Sequence, residues 1–184
     1  LQQLLCGFIV TNDGETIEIK NNRITAMLDA IEEMSGKVII WARFRKDIIS
    51  ITEALRKKYG HNSTVNYFGD TSEKDRQHAI LGIENDPNIK FFVANPQTGG
   101  RGLTLVKATN VIYYSNDFDL EKRIQSEDRN HRSGQTNQVV YVDLIAKGTI
   151  DEYIVKVLHN KIVLAGKALN EEAKKWLQIS PKKD

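Results

Sequence analysis

Short, wholly apolar runs alternate with segments whose apolar residues recur at helical spacing, and this alternation constrains the fold more than any other feature. Strands that are apolar along their whole length are typical of a parallel sheet covered on both faces, because such strands have no solvent-facing side. We therefore expect an α/β fold with helices on both faces of a parallel sheet. The predicted strands lie at 37–42, 64–68, 90–94, 110–114 and 138–145, and the helices at about 22–34, 48–59, 71–84, 120–130 and 149–170.

The pattern divides the chain into three parts. Residues 22–170 form the predicted α/β domain, and residues 171–184 form a charged C-terminal tail. Residues 1–21 are expected to be a linker or edge segment from a preceding lobe, since the chain opens on Leu rather than Met. The run Asn-Asp-Gly at 12–14 is a strong turn signal, so this segment is either a small hairpin or an extended linker.

Composition excludes several classes of protein. The 184 residues are 40% hydrophobic and 27% charged, which is ordinary for a globular domain and excludes collagen-like or disordered chains. Cys6 is the single cysteine, so we expect no intramolecular disulfide and a reducing, cytoplasmic setting. Apolar runs are too short to span a bilayer. Residues 37–150 hold 17 basic and 13 acidic side chains, a weak indication of a nucleic-acid partner beside the more ordinary interpretation of a mixed solvated surface.

Two segments carry residues suited to phosphate chemistry. The run Gly-Gly-Arg-Gly at 99–102 follows a predicted strand, where exposed backbone amides can bind phosphate, although glycine-rich turns are also common without any ligand. On the predicted helix, Gln125, Arg129 and Arg132 fall on one face near the carboxyl edge of the sheet. Two guanidinium groups suit a polyphosphate, whereas the plainer interpretation is a solvated helix. The chain has no phosphate-binding loop of the Gly-Lys-Thr type.

The run Gln-Ser-Glu-Asp-Arg-Asn-His-Arg-Ser-Gly-Gln at 125–135 closely resembles motif VI of Swi/Snf-like superfamily-two helicases, in a style nearest to phage and bacterial members. Asp128 stands where most other helicases of the superfamily have glycine. The resemblance continues in the order expected of the family, with motif IV, a Gly-x-Thr element, motif V, the segment before motif VI and the start of the closing helix. These lie at 38–44, 68–76, 98–105, 113–120 and 148–152.

The resemblance implies that the chain is the second RecA-like lobe, of P-loop NTPase type, in a two-lobe DNA translocase. Its partners would be the N-terminal RecA-like lobe of the same polypeptide, which would hold ATP and Mg²⁺, and double-stranded DNA. Arg129 and Arg132 would act as catalytic arginine fingers. The residues implied in ATP binding are Gln125, Gly100, Gly102 and Asp128, and those implied in nucleic-acid binding are Arg43, Gly69, Thr71, Thr98 and Gly99.

Two other functions compete with the translocase. A strand-separating helicase of a related branch is disfavoured by Asp128 and by the closing Ser-Gly-Gln, and a stand-alone RecA-like binding or regulatory module would have no ATPase activity. The four histidines are scattered and show no metal-ligand spacing, so no metal site is expected. His131 is expected to orient the motif VI helix rather than to catalyse.

Overall fold

A computed structural model describes residues 1–69, 71–98, 103–131, 135 and 137–169 of the chain. In chain order, the strands of the described residues are β1 (Phe8–Val10), β2 (Thr16–Glu18), β3 (Lys37–Trp41), β4 (Thr64–Tyr67), β5 (Phe91–Ala94), β6 (Ala108–Tyr113) and β7 (Val140–Asp143). The last five form the main sheet, all parallel, in the order β4-β5-β3-β6-β7, and β1 and β2 form an antiparallel hairpin that precedes it. The parallel sheet confirms the predicted fold class.

Helices cover both faces of the sheet, as predicted. Along β3 the side chains alternate: Ile39 and Trp41 join one buried apolar cluster, and Val38 and Ile40 join the other. Ile83, on the helix at Glu73–Asn85, packs into the first cluster. The helices are α1 (Gln2–Leu5), α2 (Arg23–Glu32), α3 (Arg45–Tyr59), α4 (Glu73–Asn85), α5 (Leu120–Glu127) and α6 (Ile150–Leu169), with a short 3-10 helix at His61–Ser63.

Local signals account for the start of α4 and the end of α3. Ser72 caps α4, because its hydroxyl oxygen accepts a hydrogen bond from the amide of Asp75 at 3.2 Å. Gly60 ends α3 at a φ of 101°, a conformation that favours glycine. Most predicted bounds differ by one to three residues: for example, β6 begins at 108 rather than 110, β7 covers 140–143 rather than 138–145, and α5 ends at 127 rather than 130.

The first 20 residues pack on the α/β domain. Asn-Asp-Gly forms the turn of the β1-β2 hairpin, with Gly14 at a φ of 83°. The ring of Phe8 is buried edge-on against Phe44, with centroids 5.5 Å apart, at the carboxyl edge of the main sheet. The side-chain amide nitrogen of Gln2 donates to the backbone carbonyl of Asn116 at 2.8 Å, and its side-chain oxygen Oε1 accepts from Arg43. The segment is therefore a docked hairpin rather than an extended linker; its origin in a preceding lobe stays a prediction.

Candidate functional site

Three of the predicted nucleic-acid-binding segments lie side by side. Arg43 follows β3, Gly69 and Thr71 follow β4, and Thr98 follows β5. These strands are adjacent and parallel in the order β4-β5-β3, so their carboxyl ends meet at one edge, with neighbouring strands about 5 Å apart. In open α/β sheets this edge is where ligands bind. Gly99, also predicted to contact nucleic acid, lies outside the described residues.

Arg43 is half-exposed and is held by neighbours on several sides. Its side chain donates to the side-chain amide oxygen Oε1 of Gln2, lies 3.8 Å from a carboxylate oxygen of Asp117, and stacks near the ring of Phe44. Its backbone is fixed as well. The backbone amide of Arg43 donates to the Ser115 hydroxyl at 2.8 Å, and its backbone carbonyl accepts from the side-chain amide nitrogen of Asn95 at 2.6 Å. A phosphate at this edge would compete with Gln2 and Asp117 for the guanidinium.

The loop after β4 is closed by the threonine predicted to bind phosphate. The Thr71 hydroxyl oxygen accepts a hydrogen bond from the Phe68 amide at 3.0 Å, so this side chain has a structural role in the loop. Arg76 donates to the Gly69 carbonyl at 3.1 Å, and Arg45 lies over the ring of Phe68. Sequence reasoning gave no role to these two arginines, although both lie close in sequence to predicted phosphate ligands. They add positive charge to the same edge.

The loop after β5 begins with an Asn-centred turn. The Asn95 side chain accepts from the Gln97 amide at 2.8 Å, and its backbone carbonyl accepts from the Thr98 amide at 3.1 Å. Thr98 is half-buried, and the chain then enters 99–102. Gly100 and Gly102, predicted to approach ATP, lie outside the described residues, so their placement stays a prediction.

Helix α5 is tied to the sheet by a buried ionic network around Arg123. This side chain donates to both carboxylate oxygens of Asp143 on β7, at 2.6 and 3.2 Å, and to Glu127 one turn further along the helix. It also donates to Asn116 at 2.9 Å and lies 3.4 Å from the ring centroid of Tyr113. Burial raises the pKa of the Glu127 carboxyl, and the charge of Arg123 opposes that rise. Sequence analysis missed this network because Asp143, which joins it to the sheet, lies 20 residues further along the chain.

The placement of Arg129 corrects two predictions. First, α5 ends at Glu127, so Arg129 lies in the turn after the helix instead of sharing a helical face with Gln125; Gln125 is exposed, whereas Arg129 is 7% exposed. Second, the carbonyl of Arg129 accepts from the Leu105 amide at 3.0 Å, just before the first residue of β6. Because the next residue, Asn130, donates to the carbonyl of Ala108, the first residue of β6, this turn lies near the amino end of that strand and not at the carboxyl edge.

The other motif VI residues are placed differently from one another. Asp128, predicted to contact ATP, is exposed at the C-terminal cap of α5. The ring of His131 stacks on Tyr141 of β7, with centroids 5.9 Å apart and an interplanar angle of 20°. Arg132 lies outside the described residues, so its position relative to Arg129 stays a prediction.

A second buried arginine fixes the opposite side of the sheet. Arg23 of α2 donates to the Tyr114 and Leu144 carbonyls and to a carboxylate oxygen of Asp151 on α6, each at 2.7 Å. Close by, burial raises the pKa of Asp47 to about 6, although the Cys6 thiol and Arg23 stabilise its charged form in part. These contacts fasten α1, α2 and α6 around the sheet.

The described ranges contain neither a candidate metal site nor a candidate membrane span. No group of three or more His, Cys, Asp or Glu side chains is arranged to hold a metal ion there. In the same ranges, no helix is both long and apolar enough to cross a membrane.

Comparisons with known proteins agree with the motifs. The model of the helicase conserved C-terminal domain matches residues 20–134. Over 154 residues the chain is 31% identical to the chromatin-remodeling ATPase INO80 of Mycosarcoma maydis, covering 81% of this chain and 8% of that protein. Over 145 residues it is 32% identical to the SWI/SNF-related matrix-associated actin-dependent regulator of chromatin subfamily A containing DEAD/H box 1 of Xenopus tropicalis, covering 79% and 14%.

A solved structure gives the same result. The crystal structure of the C-terminal part of the Fun30 ATPase domain superposes with a TM-score of 0.68 at 28% identity, covering 77% of this chain and 48% of that one. The chain belongs to the helicase conserved C-terminal domain family, and within it to the Swi/Snf-like branch of superfamily two that motif VI predicted. It spans only a small part of the remodelling ATPases it matches, and about half of the solved chain.

Proposed function

We propose that this chain is the C-terminal lobe of an ATP-dependent DNA translocase, and that the carboxyl edge of β4, β5 and β3 contacts the phosphates of double-stranded DNA. The observation that carries the proposal is the adjacency of Arg43, Thr71 and Thr98, which follow the carboxyl ends of three neighbouring strands. A guanidinium and two hydroxyl groups at one edge suit successive phosphates of one strand, and they carry no base specificity. Arg45 and Arg76 supply further positive charge beside them.

The ATP site would lie between this lobe and an N-terminal RecA-like lobe. That lobe would supply the phosphate-binding lysine and the acidic residues for Mg²⁺, since this chain has neither motif. Arg129 and Arg132 would neutralise charge on the transferred phosphoryl group. Arg129 is 7% exposed, so its guanidinium would need to turn outward, or the cleft to close on it. Gln125 and Asp128 lie on the exposed surface nearby, where they can contact nucleotide.

The salt dependence of DNA binding tests the DNA-facing edge. In the full-length protein, Arg43→Ala should reduce the slope of log Kd against log salt by about one, because one phosphate contact is lost. Lys57→Ala is the matched control: Lys57 is an exposed cation in the last turn of α3, at the opposite edge of the sheet. An equal change of slope in both variants, or none in Arg43→Ala, contradicts the proposed interface.

The stand-alone module is the second candidate, and ATPase assays separate it from the translocase. Under our proposal the 184-residue chain alone hydrolyses no ATP and binds DNA weakly, whereas the full-length protein shows DNA-stimulated hydrolysis. Robust turnover by the isolated chain contradicts the two-lobe mechanism, and a full-length protein without ATPase activity favours the module. The cytoplasmic setting and the resemblance to phage and bacterial members of the family stay predictions.

A further inference from the structure

We infer that Asn130 is a positioning residue that couples the loop after β5 to the turn carrying Arg129. The inference rests on the proposed function, in which Thr98 contacts DNA and Arg129 acts on ATP. Asn130 is completely buried. Its side-chain amide nitrogen donates to two backbone carbonyls of another segment, those of Leu105 at 3.0 Å and Ala108 at 3.2 Å.

The geometry fixes the orientation of this side chain. Both partners are carbonyl oxygens, which only accept, so the nitrogen and not the oxygen of the Asn130 amide must face them. The two amide hydrogens are thus used by two different carbonyls. Leu105 and Ala108 have no exposed surface. Without the hydrogen bonds from Asn130, their two carbonyl oxygens would stay buried and lose these donors, so the loss of the bonds is costly.

The backbone makes the connection reciprocal. The amide of Leu105 donates to the carbonyl of Arg129 at 3.0 Å, while the carbonyl of Leu105 accepts from Asn130. Both polar groups of Leu105 are therefore bonded to the turn after α5. The Gln135 side chain adds a further link, donating to the Val106 carbonyl at 2.8 Å.

This bridge joins two parts of the proposed mechanism. The chain runs from Thr98 through 99–102 to Leu103 and Leu105, whose side chains are anchored in the core. A shift of this segment on DNA binding would move the hydrogen-bonding partners of Arg129 and Asn130 directly. Asn130 would then pass the state of the DNA-contacting loop to the ATP-facing turn, and its loss should uncouple DNA binding from ATP hydrolysis.

The test compares Asn130→Ala with Asn110→Ala in the full-length protein. Asn110 is also a buried amide (7% exposed) on a neighbouring part of β6, and it donates to the Ser35 carbonyl at 2.6 Å, away from motifs V and VI. For each variant the basal kcat, the DNA-stimulated kcat, the Kd for DNA and the Tm are measured. Asn130→Ser, whose hydroxyl can replace one of the two bonds, provides a milder change in case the alanine variant does not fold.

We expect Asn130→Ala to lower the ratio of stimulated to basal kcat by about fivefold or more, with DNA affinity changed less than about twofold. The ratio of stimulated to basal kcat in Asn130→Ser should lie between those of wild type and Asn130→Ala. Asn110→Ala should keep the wild-type ratio even at a similar loss of Tm. The double variant with Thr98→Ala should lose no more stimulation than Thr98→Ala alone, because both changes break one connection.

Equal loss of basal and stimulated kcat in Asn130→Ala overturns the inference, as does a loss of the ratio that Asn110→Ala reproduces. The proposed function is judged separately by Thr98→Ala and Arg129→Ala. If those two variants impair the enzyme and Asn130→Ala keeps its stimulation, only the coupling role of Asn130 is wrong. If neither impairs it, the proposed function itself fails.

Discussion

Replacing Arg123 by alanine should destabilise the domain strongly, because the change leaves two partly buried carboxylates without their cation. The Arg123 side chain is 13% exposed, and its partners Glu127 and Asp143 are 11% and 23% exposed. Removing one member of such a buried pair costs about 3–5 kcal/mol. In a chain of this length that corresponds to a drop in Tm of roughly 6–20 °C.

Urea and thermal unfolding of the 184-residue chain measure this effect. The deficit should shrink as the pH falls, because the carboxyl group of Glu127, whose pKa is raised by burial, becomes neutral and no longer needs the guanidinium. Lys46→Ala is the control: its ion pair with Glu18 spans 2.6 Å on the exposed surface and should contribute little. An Arg123→Ala variant as stable as Lys46→Ala, or a deficit independent of pH, refutes the reasoning.

Three further predictions concern single side chains. Thr98→Ala in the full-length protein should lower DNA-stimulated ATPase more than basal ATPase; equal loss, or a large fall in Tm, would assign Thr98 a structural role. Thr71→Ala should cost about 1 kcal/mol in urea unfolding, because the Phe68 amide loses its acceptor, and Thr71→Ser should restore it. Burial raises the pKa of Asp47 from 3.8 to about 6. Between these two pH values the native state therefore binds more protons than the unfolded state, and the free energy of unfolding falls by about 3 kcal/mol as the pH rises. Asp47→Asn should remove that fall; an unchanged difference between unfolding curves at about pH 4 and about pH 7 would contradict it.

The strands of the sheet were predictable because a strand that is buried on both faces is apolar along its whole length. Strands such as β3 and β5 are buried on both faces, so every side chain between Val38 and Trp41 is apolar and the run is visible without any tertiary information. The turn at 12–14 and the end of α3 at Gly60 were predictable for a similar reason, since each depends on the backbone freedom of one glycine.

The end of α5 was not predictable, because it depends on contacts distant in sequence. Leu120 to Asn130 has no proline or glycine, and nothing local stops a helix there. In the structure, the Asn130 amide bonds to Leu105 and Ala108, more than 20 residues away, and the carbonyl of Arg129 bonds to Leu105. These bonds replace the next helical turn, and they place Arg129 near the amino end of β6.

In the candidate site, too, the features that depend on local sequence were predictable and the contacts between distant segments were not. The loops carrying Arg43, Thr71 and Thr98 were expected after strands, and the parallel order β4-β5-β3 places them together. The Arg123 network was invisible, because Asp143 lies 20 residues further on in a strand whose register only the folded sheet sets. The contact of Gln2 with Arg43 was likewise beyond the sequence, since it depends on how the hairpin docks.

Single-turnover ATP hydrolysis by the full-length protein with Arg129→Ala tests the central claim most directly. We predict that the rate constant of the hydrolysis step falls by about two to four orders of magnitude, or about 3–5 kcal/mol, because the arginine acts on charge that is largest in the transition state. The Kd for ATP should change far less, and Arg129→Lys should restore little, because lysine lacks the planar fork. Near-normal turnover in Arg129→Ala, or a loss of activity that simply follows the loss of folded protein, would contradict the account.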